Sequence, residues 1–389
     1  MNRYTVQHAK GNVVSDDLRS AFEQVSGKDF KPFFDKWVYG AGFPVFRVSY
    51  SYDASAHTVT LDAHEVQQRD SLTGFFDPDV DIEILTDGAP VRGIVQLRNG
   101  VGHASFTVPS APRSIRWDKG NWLLDLADFP RPTVMLAWQL AHDDDVVGRV
   151  EAVELLGQRG DELLARRALI AATHDAAQAV RARAVGALRS QAGAPMVADA
   201  IIAATRDSDA RVRQAALKAL GAVHSSAAAA RAREAATSDP SLIDRGTALM
   251  TLATLDGAAA LEVAKSALAS DSWLDLSRTE AVGAIGMIDS PESIPTLMRY
   301  IGAGTARNTR VAAIDALTAR AAGHEAEVAA AIEPLLAVDD DIFVRIEAAS
   351  ALGELKQQSS IAALEARRKV EAESRVINTI DAALAQIRK

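Results

Sequence analysis

Apolar positions along this 389-residue chain follow more than one period, and the changes of period divide it. Near the start, Leu18, Phe22 and Val25 fall at i, i+4, i+7, and Phe30, Phe33, Phe34 and Trp37 at i, i+3, i+4, i+7. Each set makes one apolar face, which predicts two short amphipathic helices. Ser15, ahead of Asp16 and Asp17, reads as an N-cap followed by charges that suit the helix dipole. Gly40-Ala41-Gly42 should end the second helix and Pro44 should stop it resuming. From Phe43 to Asp128 the period drops to two, first at Phe46, Val48, Tyr50 and Tyr52, then at Val59, Leu61 and Ala63. Val80, Ile82 and Ile84 make a third run, and Phe106 and Val108 a fourth. Turn signals at Asp53-Ala54-Ser55, Asp87-Gly88 and Asn99-Gly100 separate the runs, so residues 43–129 are expected to form an antiparallel β-sandwich.

Phe129-Pro130-Arg131-Pro132 is a stiff boundary, and beyond it a repeat dominates. Arg149, Arg181, Arg213, Arg245, Arg278, Arg310, Arg345 and Arg375 recur at spacings of 32, 32, 32, 33, 32, 35 and 30 residues. In all but the last copy an Ala follows three positions later, from Ala152 to Ala348. Small-apolar pairs come next, as at Ala187-Leu188 and Ala351-Leu352, and Gly157, Gly221, Gly286 and Gly353 are expected to end their helices. This R-xx-A-xx-AL-G form is that of the second helix of a HEAT repeat, so residues 133–389 should be an α-solenoid of about eight HEAT-like repeats. Asp145, Asp209 and Asp341, four residues ahead of their arginines, should cap the second helices and meet the Arg of an adjacent repeat. The eight arginines are therefore expected to be structural; the alternative is a groove for acidic partners. The chain is thus expected to be multidomain, with a short helical N-terminal segment (1–42), the sandwich and the solenoid.

Composition narrows the function classes. Of the 21 Phe, Trp and Tyr residues, 18 precede residue 140, so the repeats must pack through alanine and aliphatic side chains. A net charge of −9 argues against a nucleic-acid surface and supplies no polybasic membrane signal. No apolar run is long enough to span a bilayer. Met1-Asn2-Arg3-Tyr4-Thr5 lacks the form of a signal peptide, and the compartment, cytoplasmic or exported, stays open. The absence of Cys excludes disulfides, thiolate metal sites and Cys nucleophiles.

The run Asp16-Asp17-Leu18, Ser26-Gly27-Lys28-Asp29, Phe33-Phe34-Asp35-Lys36-Trp37 and Gly42-Phe43-Pro44-Val45 resembles the end of the catalytic domain of zinc aminopeptidases of the aminopeptidase N (gluzincin) type. The resemblance implies that residues 1–42 are the terminal helices of a peptidase domain whose body lies upstream of Met1. A β-sandwich and an all-helical domain would follow. Zinc would belong to that upstream domain, where HExxH places two His on one helix face and a Glu beside the bound water.

This chain holds no such motif: none of its eight His lies four residues from another. The nearest string, His64-Glu65-Val66-Gln67-Gln68, has Gln at the second His position and follows an alternating strand pattern. No catalytic, cofactor-binding or metal residue is assigned here. Asp143-Asp144-Asp145 and Asp339-Asp340-Asp341 read as turn and cap residues, and Asp77, Asp79 and Asp81 lack the EF-hand pattern. Trp37 reads as a core anchor of an inter-domain corner. Two functions remain. One is the non-catalytic C-terminal part of an aminopeptidase, inactive alone, its partners a peptide or protein and a catalytic domain in cis. There the solenoid would gate access or bind peptide. The other is a free-standing HEAT-repeat scaffold, which would have to cover Phe22, Phe30, Phe33 and Trp37.

Overall fold

The computed structural model describes residues 1–389, with every side chain except that of residue 338. Two compact units result, Met1–Ala168 and Leu169–Lys389.

The first unit opens with three helices, α1 (Asn2–Gln7), α2 (Ser15–Ser26) and α3 (Lys31–Trp37). Ser15 does not cap α2. It occupies the first helical position, Val14 takes the cap, and the Asp17 carboxylate reaches back to accept the Val14 amide at 2.9 Å. Gly27, at φ 70°, closes α2 in the left-handed conformation that glycine adopts without strain.

Seven strands follow: β1 (Val45–Asp53), β2 (Thr58–Glu65), β3 (Asp79–Leu85), β4 (Val91–Arg98), β5 (Val101–Thr107), β6 (Ser114–Trp117) and β7 (Leu126–Asp128). Their order is β6-β3-β4-β5-β2-β1-β7, antiparallel throughout except β1 with β7. The sheet folds over a single core. Phe46 of β1 and Trp117 of β6, far apart in the strand order, meet with ring centroids 5.2 Å apart. Val59, Leu61, Ile82, Ile84, Val95 and Leu97 fill the space between. Asn99 and Gly100, at φ 53° and 76°, make the tight β4–β5 turn, a geometry only residues tolerant of positive φ permit.

Sixteen α-helices make eight pairs over the remaining chain, as the eightfold arginine recurrence requires. They are α4 (Thr133–His142) with α5 (Val146–Gly157), α6 (Leu163–Ala172) with α7 (Gln178–Leu188), and α8 (Pro195–Ala204) with α9 (Ala210–Leu220). Next come α10 (Ser226–Ser238) with α11 (Leu242–Leu255), and α12 (Gly257–Leu268) with α13 (Leu276–Met287). Last are α14 (Ser293–Leu297) with α15 (Arg307–Arg320), α16 (Glu325–Val338) with α17 (Ile342–Leu355), and α18 (Ile361–Val370) with α19 (Ser374–Ile387). From α7 to α19 each second helix packs on the next. The motif alanines from Ala152 to Ala348 are fully buried, which is what lets helices approach closely.

Two of the four motif glycines do not end helices. Gly286 lies inside α13 and Gly353 inside α17. A Cβ on Gly286 would sit 2.7 Å from Ala316 Cβ, and one on Gly353 2.8 Å from Ala383 Cα. At these positions glycine serves close approach of the next repeat rather than helix termination. Among the described residues, no helix is long and apolar enough to cross a membrane.

Candidate interaction surfaces and the buried ion network

The opening helices carry an aromatic stack with one covered end. Phe22 lies 5.6 Å from Phe30, Phe30 6.4 Å from Phe33, and Phe33 6.4 Å from Trp37. Trp37 closes the row against Phe76, 4.7 Å away in the loop before β3, and Lys36 Nζ donates to the Phe76 carbonyl. The other end is open: Phe33 is 52% exposed, and Val14 and Val25 more so. Contiguous exposed apolar surface of this kind is characteristic of an interface.

At the sheet's end nearest α4, charges are buried instead. Arg116, on β6, is enclosed; it donates to Asp143 and lies 3.4 Å from Glu151 and 3.7 Å from Asp145. Lys119 Nζ stands 2.8 Å from Asp143, 2.6 Å from Asp144 and 3.1 Å from Glu83. Arg131 donates to Gln139 Oε1 at 3.0 Å and to Glu151, joining the Pro-rich boundary to α4 and α5. Burial works against the Lys119 charge, yet the hydrogen bonds to Asp143 and Asp144 hold its pKa well above the usual lysine value. Gly148 is required here, because a Cβ would fall 1.4 Å from Arg116 Nη1.

Glu83, Asp143 and Asp144 offer three oxygens within 4.8 Å of one another, a spacing that could hold a metal ion. The Lys119 ammonium already stands among them and supplies the compensating charge, so this donor set does not fit a cation. Zinc fares no better among the described residues. His64 is exposed on β2, while Glu65 is buried and accepts from the Phe76 and Asp77 amides and from Gln67. The other acidic strings do not converge either. Asp77 accepts the Gly100 amide, Asp79 pairs with Arg98, and Asp341 caps α17.

The repeat arginines form a recurrent arrangement. Arg181 reaches Asp207 at 2.7 Å, Arg213 reaches Asp239 at 2.8 Å, and Arg345 reaches Glu371 at 2.8 Å. In each pair the acid stands 26 positions after the arginine. Arg310 pairs with Asp339. Asp145, Asp209 and Asp341 do cap their helices, but the carboxylate that meets the preceding arginine lies two residues earlier. That acid also accepts the amide two positions on, as Asp207 does from Asp209 and Asp239 from Ser241, which fixes the carboxylate so that both its oxygens accept from the incoming guanidinium. The same residues' carbonyls accept from their own arginine: Asp143 from Arg149, Asp207 from Arg213, Asp239 from Arg245 and Asp339 from Arg345. Arg278 pairs within its own repeat with Asp271 and Asp275, and Arg375 is surface-exposed beside Glu373. Asp143, Asp175, Asp207, Asp239 and Asp271 recur every 32 residues, the sequence signal for these acceptors.

Against known proteins, residues 165–253 and 232–318 match the family model for HEAT repeats. No curated protein matches. One solved structure with the same fold is Legionella pneumophila aminopeptidase A in complex with aspartic acid, at 12% identity and a TM-score of 0.60. The match covers 99% of this chain and 53% of that one, so this chain spans about half the length of the protein it resembles.

Proposed function

We propose that this chain is the non-catalytic C-terminal portion of a zinc metallo-aminopeptidase. In this reading residues 1–42 finish a peptidase domain, 43–129 are a β-sandwich, and 133–389 are a solenoid that gates access to the site or binds the peptide. The observation that carries the reading is the fold likeness to an aminopeptidase over 99% of this chain and only 53% of the other. The half-covered aromatic stack of α2 and α3 supports it, since a preceding domain would cover Phe33 and Val25. Hydrolysis of N-terminal residues, with zinc supplied by that domain, is a property of the proposed whole and not of the residues described here. The solenoid's role would be steric and associative.

The test is to express residues 1–389 alone and the longest upstream-extended reading frame, and assay both on aminoacyl-p-nitroanilides with and without a zinc chelator. The reading requires chelator-sensitive release from the extended protein and none from residues 1–389. Equal inactivity in both, with zinc supplied, would favour a free-standing repeat scaffold.

A further inference from the structure

In the second unit, the rung of the arginine ladder at Arg245 is open, and a cavity lies beside it. The rule that joins Arg181 to Asp207, Arg213 to Asp239 and Arg345 to Glu371 assigns Asp271 to Arg245, again 26 positions on. Asp271 does not take that place. Its side chain is fully exposed and it lies 3.2 Å from Arg278 instead. The chain leading into α13 turns away through Leu274 and Asp275, both at positive φ, and this is the repeat interval that is one residue longer than its predecessors. Arg245 donates through Nε to the Asp239 carbonyl at 2.5 Å, and among the described residues no carboxylate lies within 4.0 Å of its guanidinium.

Arg245 lines a cavity of about 220 Å³ between α10, α11, α12 and α13. Glu280 lines the same cavity, half-buried, with no ion-pair partner among the described residues. Desolvation alone raises its pKa. Its position depends on a second departure from the repeat: the residue after the motif arginine is Gly246, where the other copies carry a side chain. A Cβ at Gly246 would fall 2.5 Å from Glu280 Cγ. Leu242, Leu249 and Val263 supply an apolar wall. Asp271 stands at the cavity's lining as well, its charge already paired with Arg278. The loss of a ladder acid, a glycine that admits a carboxylate, and a cavity that also bears two unpaired opposite charges thus coincide in one repeat.

We infer that this cavity binds a free, apolar α-amino acid. The Arg245 guanidinium receives the carboxylate in the manner that the closed rungs receive Asp and Glu side chains. Glu280 receives the ammonium group, and the aliphatic side chain lies on Leu242, Leu249 and Val263. A ligand with both charges satisfies both unpaired groups, whereas a simple anion would meet the Glu280 charge and a simple cation the Arg245 charge. The site lies within the second unit and stands whether or not the aminopeptidase reading does.

Calorimetric titration of the full 389-residue chain with L-leucine tests the inference, alongside 4-methylpentanoate, which lacks the ammonium, and isoamylamine, which lacks the carboxylate. The expected result is saturable binding of L-leucine with each analogue at least about tenfold weaker, as removal of one charge-assisted contact implies. Arg245→Gln should weaken L-leucine by about tenfold or more, and Glu280→Gln by a similar factor, with circular dichroism melts confirming that both variants fold. Absence of saturable L-leucine binding overturns the inference. So does equal binding of either analogue, or L-leucine binding that both substitutions leave unchanged.

Discussion

Replacing Arg116 by Met keeps most of the side-chain volume and removes the charge together with the hydrogen bonds donated to Asp143 and Asn121, which isolates what the buried network contributes. Asp143 is wholly buried, and its closest cation after Arg116 is Lys119 at 2.8 Å. Breaking a buried pair by deleting one partner costs about 3–5 kcal/mol, because the remaining charge keeps its desolvation penalty without its counter-ion. Lys119 stays in place, so the expected loss is at the lower end, about 3 kcal/mol. With a urea slope of roughly 2 kcal/mol/M, that moves the midpoint of the first unit down by about 1.5 M. Tryptophan fluorescence reports mainly on this unit, since Trp37, Trp117, Trp122 and Trp138 lie in it and only Trp273 lies beyond. Replacing both partners, Arg116→Met with Asp143→Leu, should recover most of the loss, because no buried charge is then left unpaired. A single-variant cost below about 1 kcal/mol, or no recovery in the double variant, would refute the reasoning by showing that water already solvates Asp143.

Three further outcomes follow from the same physics. Arg213→Gln, which strips Asp239 and the buried Asp244 of their cation, should cost about 3 kcal/mol or more, whereas Arg375→Gln at the same motif position but on the surface should cost under about 1 kcal/mol. Denaturation of the two variants followed by far-ultraviolet circular dichroism compares them, and equal costs would contradict the ladder's dependence on burial. Burial, then the Asp118 charge, raises the Asp125 pKa to about 6, so its ionised form opposes folding at neutral pH. Asp125→Asn should therefore stabilise the first unit at pH 7–8 by on the order of 1–2 kcal/mol, discounted for the water that reaches part of the carboxyl, and the gain should fade as pH drops through about 6 toward 4. Glu371 behaves oppositely: burial pushes its pKa up, but hydrogen bonds from Arg345, the Glu373 amide and Arg367 outweigh that and hold it at about 2. Its stabilisation is present above the unfolded-state value near 4.5 and is lost as pH falls toward 2, so Glu371→Gln should flatten the acid limb of the melting curve in that window.

Much of the architecture is legible in the sequence because period and spacing report it. The arginine recurrence indicates eight helix pairs, and the two-residue alternation indicates β1, β2, β3 and β5. Less visible strands fail for identifiable reasons. In β4, Gly93 interrupts the apolar rhythm because the Phe106 ring needs the space a Cβ would fill, 2.4 Å away. All four residues of β6 are buried, since α4 covers its outer face, so no alternation remains to be read. The Pro-rich boundary is a local signal, whereas the first compact unit runs to Ala168, since Arg116, Lys119 and Arg131 bind α4 and α5 to the sheet. Those long-range pairs leave no local trace. The ladder acids were within reach, as they recur every 32 residues, but the helix-cap pattern of Asp145, Asp209 and Asp341 two residues later is the stronger local signal. Gly286 and Gly353 look like terminators because glycine often ends helices, while close approach to a neighbouring helix needs the same residue.

Whether a zinc peptidase domain precedes this chain, as proposed, can be read from the DNA immediately upstream of the Met1 codon. The expected result is an in-frame continuation encoding HExxH and a Glu about one helix further on. A stop codon with a ribosome-binding site just ahead of Met1 would contradict it and turn attention to the partner of a free-standing solenoid.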